Sequence, residues 1–386
     1  MKRIAFLSML ITSLTLLSHT AFTQGCVEST SDDGPQVIGY IQPEWSYFFF
    51  GQDENNNAVK PNTFYFRRAR FGVVGSIPYD ISYYALVEFS PLATGQPHLL
   101  DFFVSYAPFG KYVKFSFGQF KSPYSFELAQ PCWGLHTINR SVAVTQLATP
   151  FRELQFMVLG GFGKDRDVIS YSVSVLNGTG LNVMDQYQWD GDTSSVANAN
   201  KDIAGRVVFS PWEWLSIGAG ARTGLIGVKD EFGRSQSKTR YGVDFNFEKW
   251  NFRLQGEYLW GVDVLEEGSS GNTGGGCGGK KSTSAVSYQE FNKSGFWVQA
   301  MYMTPFRLEP VVKYEYYDPD GSSYSYYFGV TQSAYTQSIL TIGLNYFIND
   351  WTRIQVNYLY AAEGKTHGLV NEYDNDMLMI QAQVKF

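Results

Sequence analysis

The chain has 386 residues and a formal net charge of −6, which excludes a basic nucleic-acid-binding protein. Its 3 cysteines are too few, and odd in number, for a disulfide framework. Aromatic residues make up 17% of the chain, whereas the total apolar fraction of 44% is ordinary. This combination is typical of a protein in which only alternate strand residues face an apolar phase.

The N-terminus has the composition of a secretory signal peptide. Lys2 and Arg3 precede an apolar run over residues 4–17, and small and polar residues follow as far as Gly25. The apolar run is shorter than the ~20 residues that a transmembrane helix needs, and no later stretch approaches that length. A helical membrane protein is therefore excluded. The predicted organisation is a signal peptide (1–25), a short N-terminal segment (26–35) and a transmembrane β-barrel (36–386).

Segments of alternating apolar and polar residues, each bounded by turn residues, follow one another along the mature chain. Such segments of about ten residues are the signature of strands whose apolar face meets lipid. Sixteen strands are predicted, near residues 36–50, 63–76, 81–90, 99–107, 111–120, 153–161, 168–177, 202–210, 215–223, 240–249, 251–262, 294–303, 306–317, 338–348, 352–361 and 377–386.

The connections between these strands alternate between short and long. A bacterial outer-membrane barrel has short periplasmic turns, long extracellular loops and an even number of strands. The predicted fold class is therefore all-β, a 16-stranded antiparallel transmembrane β-barrel with both termini on the periplasmic side. The short links lie at residues 77–80, 108–110, 163–167, 211–214, 249–250, 304–305 and 349–350.

The last predicted strand, MLMIQAQVKF, alternates up to the final residue. Apolar side chains lie on one face, and Met379, Gln381, Gln383 and Lys385 lie on the other. We expect this strand to close the barrel against the first strand near residues 37–41. The terminal Phe386 is predicted to be recognised by the outer-membrane insertion machinery.

Two long loops have distinct compositions. The loop over residues 121–152 has three prolines and is not especially hydrophilic, so we expect it to fold into the pore. The loop over residues 263–292 is rich in glycine and serine and is predicted to lie at the surface. Cys132 and Cys277 fall in loops expected outside the cell, where they could pair or remain two separate thiols.

If the apolar face of each strand meets lipid, the opposite face lines the lumen, where charges need only water. Either the rows of basic residues attract anions into the pore, or basic and acidic residues on neighbouring strands form ion pairs that stiffen the wall. Lys121 and Arg140, in the inward-folding loop, are candidates for a constriction. The inward basic residues are Arg68, Arg70, Lys114, Arg206, Arg222, Arg253, Arg307, Lys313 and Arg353, and the inward acidic residues are Glu88, Asp101, Glu153, Asp244, Glu257, Glu309 and Glu315.

Two other function classes are weighed against a channel. For an enzyme, the mature histidines are His98, His136 and His367, all in predicted loops and none in a hydrolase or metalloprotease motif. No cysteine or histidine spacing indicates a metal site. An adhesion barrel would fill its lumen, whereas many small inward residues, such as Gly218 and Gly220, are expected to leave room for water.

Several stretches resemble the phosphate-selective porin O/P family. They include FRRARFGVVG (66–75), GQFKSPYSFE (118–127), LEPVVKYEYYDPD (308–320) and LTIGLNYFINDWTRIQVNYLY (340–360), and the resemblance spans essentially the whole mature chain. It implies a trimeric outer-membrane porin with an inward-folded third loop and basic residues along the conduction path. The matching basic positions are Arg68, Arg70, Lys121 and Lys313. The block FRELQ places Arg152 and Glu153 as a structural pair.

Pattern and resemblance together predict a water-filled outer-membrane channel for passive diffusion of small hydrophilic solutes, with a bias toward anions such as phosphate. No enzymatic activity, cofactor or metal is expected. The expected partners are outer-membrane lipid, small anions, the insertion machinery and further copies of the chain in a homotrimer. The pore-lining, solute-binding candidates are Arg68, Arg70, Lys114, Lys121, Arg140, Arg253, Arg307, Lys313 and Arg353.

Overall fold

The computed structural model describes most of the predicted barrel. The predicted signal peptide, nearly all of segment 26–35, Cys277 and most of the glycine-rich loop lie outside the described residues. Among the residues described, no helix is both long enough and apolar enough to cross a membrane. The described residues are 34–49, 62–90, 96–164, 166–178, 180, 201–226, 236–266, 288–319, 336–364 and 375–386.

The described residues form sixteen β-strands, which confirms the predicted strand number. Several strands extend beyond the predicted bounds because backbone pairing continues where the sequence no longer alternates. The strands are β1 Gln36–Phe48, β2 Asn62–Ile77, β3 Ile81–Glu88, β4 His98–Tyr106, β5 Lys114–Lys121, β6 Arg152–Phe162, β7 Ile169–Leu176, β8 Asp202–Trp212, β9 Leu215–Ile226, β10 Gln236–Lys249, β11 Phe252–Glu266, β12 Tyr288–Tyr302, β13 Leu308–Asp318, β14 Gln337–Phe347, β15 Thr352–Glu363 and β16 Met377–Lys385.

Each strand pairs antiparallel with its sequence neighbours, and β1 pairs with β16 to close the barrel. Ile41 lies opposite Val384 in this closing pair. The final residue extends it, since Gly39 N donates to Phe386 O at 2.9 Å and Phe386 N donates to Gly39 O at 2.9 Å. The predicted closure of the last strand on the first is confirmed.

The alternation of side chains on β16 is also as predicted. Ile380 and Val384 are each 39% exposed on the outer face, whereas Met379 and Gln381 are fully buried inside. Short links join the strands at one end of the barrel, and long connections join them at the other. One short link is the two-residue turn Trp250–Asn251, where both residues have positive φ, as a type I′ hairpin requires.

The residues between β5 and β6, 122–151, form a pore segment that crosses the lumen. It contains two short helices, α1 (Phe126–Ala129) and α2 (Val142–Leu147), and a 3-10 turn over Cys132–Gly134. Its backbone N–H groups donate to side chains of distant strands, which places the segment inside the barrel, as predicted. These bonds run from Phe126 N to Glu257 Oε1 (2.8 Å), from Val142 N to Glu315 Oε2 (2.8 Å) and from Ile138 N to Asn357 Oδ1 (2.7 Å).

Small residues on the inner wall make room for the pore segment. A Cβ atom on Gly220 would lie 2.1 Å from Tyr124 O, and one on Gly295 would lie 2.7 Å from Ala143 Cβ. Both distances are far below van der Waals contact. Gly220 thus makes room for the backbone of the pore segment at Tyr124. The expectation that Gly220 leaves room for water is therefore wrong.

Part of the lumen is apolar. Tyr84 and Phe103 stack with centroids 5.3 Å apart, and Phe103 contacts Phe120 at 4.9 Å. These rings belong to a buried cluster contributed by β2 to β6, which also includes Val74, Leu86 and Met157. The cluster fills one sector of the barrel, so water and solute must pass beside it.

Candidate functional site: a basic cavity in the lumen

A β-bulge in β2 places two consecutive arginines on the inner wall. Gln42 pairs with Arg68 and Pro43 with Phe66, so that Arg67 has no residue opposite it on β1. Pro43 lacks the N–H group that regular pairing would use, which is a common cause of such irregularities. Strict alternation predicts only Arg68 and Arg70 on this face and therefore missed Arg67.

The contacts of Arg67, Arg68 and Arg70 show that all three side chains face inward. The guanidinium group of Arg68 donates to an uncharged amide, whereas those of Arg67 and Arg70 meet carboxylates. The partners are Glu44 for Arg67 (3.4 Å), Gln42 for Arg68 (2.8 Å) and Glu88 for Arg70 (2.7 Å).

The pore segment and its flanking strand ends add three further cations. Lys121 on β5 lies opposite Arg152 on β6, at the point where the two strands separate and the pore segment begins and ends. Lys121 Nζ and Arg140 Nη2 each donate to Gln130 O at 2.7 Å. Arg152 forms two hydrogen bonds of 3.0 Å with Asp101, the bidentate geometry of a strong ion pair.

These six cations line one cavity of about 480 Å³, called the basic cavity below. Among the described residues, Glu315 is the acidic residue that lines it, and Lys313 Nζ lies 3.0 Å from that carboxylate. Within the described part of the chain, Arg68 and Arg140 form no ion pair with a carboxylate, and Arg140 donates mainly to backbone carbonyl oxygens. Positive charge therefore exceeds negative charge at this wall.

Cys132 lies within this group of cations. Its Sγ is 3.3 Å from Arg70 Nη1 and 3.6 Å from Arg140 Nη2. Burial raises the pKa of the thiol, but the positive charges of Arg68, Arg70 and Arg140 lower it more, so that its pKa lies well below the usual value. Cys132 is a free thiol buried in the pore segment. Cys277, with which it could pair, lies outside the described residues.

The opposite side of the lumen carries charges that are paired. Arg222 meets both Asp202 and Glu153 at 2.8 Å, and Lys238 lies 3.1 Å from Asp202. Arg206 forms an ion pair with Asp244, and Arg240 and Lys293 share Asp263 at 2.5 Å each. Cross-wall pairing is therefore the role of these residues. Glu153 pairs with Arg222 and not with Arg152, so the predicted Arg152–Glu153 structural pair is wrong.

Four predicted candidates lie away from the basic cavity. Lys114 begins β5 near the short-link end and is half-buried. Arg253 contacts His136 (2.8 Å) and Glu248, and Arg353 donates to Gln383 at 3.0 Å. Arg307 was predicted to face the lumen from a strand. That prediction is wrong, because Arg307 is exposed in the turn before β13, with φ of 61°.

Lys313 faces inward as predicted but is not open to solvent. Its side chain is fully buried, 2.9 Å from Glu127 Oε1 and 3.0 Å from Glu315 Oε1, with the ring of Trp297 5.4 Å away. Two carboxylates neutralise this single ammonium group. Its position indicates that it fastens the pore segment to β13.

The barrel is similar to solved outer-membrane channels. The outer membrane channel DcaP of Acinetobacter baumannii aligns with a TM-score of 0.65 and 12% identity over 94% of this chain and 100% of that chain. An anion-selective porin from Comamonas acidovorans aligns with a TM-score of 0.59 and 10% identity, over 91% and 99% of the two chains. The trimer form of OmpT from Vibrio cholerae aligns with a TM-score of 0.55 and 12% identity, over 92% and 100%. At these identities the likeness concerns the fold.

No match was found among curated protein sequences. A family model, by contrast, matches nearly the whole barrel. It describes phosphate-selective porin O and P and covers residues 41–225 and 227–386, including the strands and the pore segment that form the basic cavity. The chain therefore belongs to the phosphate-selective porin O and P family.

Proposed function

We propose that the protein is an outer-membrane porin through which small hydrophilic solutes diffuse passively, with anions preferred over cations. One observation carries the anion preference, namely the six cations of the basic cavity, of which Arg68 and Arg140 meet no carboxylate among the residues described. Membership of the porin family supports the channel function. The description of the Comamonas porin as anion-selective is consistent with the preference.

Arg68 and Arg140 contribute most to the preference, because their guanidinium groups meet no carboxylate among the residues described. The charges on the opposite wall are paired, so they largely cancel at a distance. A unit charge about 4 Å from an ion in water contributes on the order of 1 kcal/mol, which converts to about fivefold in local ion concentration. The two guanidinium groups of Arg68 and Arg140 are thus sufficient for a measurable bias.

The outer surface suits lipid and further copies of the chain. Trp212, Trp250 and Trp351 are 53%, 80% and 59% exposed, and all lie at the short-link end, as an interfacial girdle requires. We propose that this surface contacts outer-membrane lipid and that three chains form a trimer, which the trimer form of OmpT supports. The exposed terminal Phe386 is proposed as the contact for the insertion machinery.

Reversal potentials in a KCl gradient across a planar bilayer test the proposed function. The wild-type channel is expected to show the sign of an anion-preferring pore. Arg68→Gln should lower the anion-to-cation permeability ratio about fivefold. Arg307→Gln removes the same charge at an exposed turn and is the matched control, with no change expected. A reversal potential of the sign expected for a cation-preferring pore in the wild type would overturn the proposed anion preference. Absence of conductance would overturn the proposed channel function.

A further inference from the structure

The basic cavity has an apolar side as well as a basic side. Leu128, Val142 and Phe151 line it from the pore segment, and Ile339 and Leu359 line it from β14 and β15. Leu128, Val142 and Phe151 belong to one hydrophobic cluster, and Ile339 and Leu359 to another, so this side is continuous with packed apolar side chains. Arginine-rich and apolar surfaces therefore face the same space.

An inorganic anion such as phosphate fits only half of this cavity. Its oxygen atoms require hydrogen-bond donors all round, and contact with an apolar surface removes water without replacing its hydrogen bonds. A molecule with an anionic group at one end and a hydrocarbon body at the other satisfies both sides. Its body gains from leaving water, by about fourfold in affinity for each methylene group that becomes buried.

The size and the donors of the cavity suit such a molecule. A volume of about 480 Å³ is within the range of cavities that hold small organic ligands. Arginine forks bind carboxylates with two parallel hydrogen bonds. Arg68 and Arg140 are the cations whose guanidinium groups meet no carboxylate among the residues described.

We propose that the basic cavity binds organic monocarboxylates with a hydrocarbon body, in preference to inorganic phosphate. This inference rests on the proposed channel function and specifies its solute. Arg68 and Arg140 hold the carboxylate, and Val142, Phe151 and Ile339 contact the body. Passage through the pore then selects for anions that are partly apolar.

Block of chloride current through the full-length protein in a planar bilayer tests this assignment. The probes are acetate, butyrate, hexanoate and inorganic phosphate. The blocking constant is expected to fall about fourfold per added methylene from acetate to hexanoate, and hexanoate should block more strongly than phosphate. Equal block along the series, or phosphate as the strongest blocker, would overturn the proposal.

Polar substitutions on the apolar side of the cavity locate the contact with the hydrocarbon body. The double variant Val142→Thr/Ile339→Thr should weaken block by hexanoate about tenfold relative to block by phosphate measured in the same variant. Val243→Thr makes the same kind of change on the outer face of β10, where Val243 is 45% exposed, and serves as the control. Unchanged hexanoate block in the double variant would overturn the site. The reversal potential in KCl alone tests the channel function separately, because no organic anion is present.

Discussion

Lys313 on β13 donates a hydrogen bond of 2.9 Å to Glu127 of the pore segment, and both side chains are nearly inaccessible to solvent. The bond joins residues 186 positions apart in the chain. It fixes helix α1 against the wall opposite β5. The family resemblance places the same lysine on the conduction path, whereas in the structure it holds the pore segment. An inward charge in this barrel can therefore organise the pore instead of lining it.

The replacement Lys313→Met is expected to release the pore segment. It leaves Glu127 and Glu315 buried without their cation, and breaking a buried pair in this way typically costs about 3–5 kcal/mol. Single-channel recordings should then show larger and less steady conductance than the wild type. Lys111→Met changes a half-exposed lysine in a short link and is the control. Wild-type conductance in Lys313→Met would contradict the fastening role.

Cys132 offers a chemical probe of the potential in the basic cavity. Nearby arginines hold the pKa of its thiol well below the usual value, which favours the reactive thiolate. A negatively charged methanethiosulfonate reagent should react at least about tenfold faster than a positively charged one, because the cavity concentrates anions.

The reaction is measured as the rate at which the current declines. The protein used has both Cys26 and Cys277 replaced by serine, so that Cys132 is its remaining cysteine. Cys132→Ser in the same background should abolish the decline. Faster reaction of the positively charged reagent would show that the cavity is not net positive.

His136 is expected to make docking of the pore segment depend on pH. Its Nδ1 lies 2.8 Å from Glu309 Oε1, and Arg253 Nη1 lies 2.8 Å from its Nε2. A guanidinium group can only donate, so Nε2 accepts and the proton resides on Nδ1. Burial lowers the pKa of His136 and the charge of Glu309 raises it, but Arg253 and Arg353 lower it again, with a net shift below 6.5.

The sign of the effect follows from that shift. A lowered pKa in the folded state favours the neutral imidazole, so docking is fully stabilised above pH ~6.5 and is lost as the pH falls through the folded-state pKa. Current fluctuations should therefore increase as the pH falls from about 7 to 5. His136→Gln can keep both hydrogen bonds without titrating, and its fluctuations should not vary over that range. Identical pH profiles for the two proteins would argue against this role.

Gly220 is predicted to be intolerant of any side chain. An added Cβ would meet the backbone oxygen of Tyr124 at 2.1 Å, so Gly220→Ala must displace the pore segment or the strand. We expect lower thermal stability, by several degrees, and altered conductance. Gly205→Ala is the matched change in the neighbouring strand, where the nearest atom would be 3.2 Å away. Equal stability of both variants would show that the segment yields easily.

The alternating pattern was sufficient to predict the strands because lipid on one side and water on the other impose a period of two on every strand. It could not predict Arg67, because the bulge at Pro43 shifts the period locally. Pro43 itself was the available signal. Partners such as Glu127 for Lys313 depend on how the pore segment folds back through the lumen, and no local pattern records that path.

Barrel closure and recognition by the insertion machinery can be separated at Phe386. Its two backbone hydrogen bonds to Gly39 complete the β1–β16 seam, and its ring lies over Gly39, where an added Cβ would be 2.7 Å from Cζ. Deletion of Phe386 removes both features. If recognition depends on this residue, insertion in cells should fall severalfold, whereas refolding of purified protein into detergent micelles should fall only slightly.

Phe386→Tyr preserves the ring and the backbone bonds and should behave like the wild type in both measurements. Equal losses in cells and in micelles would instead assign Phe386 to closure of the seam alone, because micelles contain no insertion machinery.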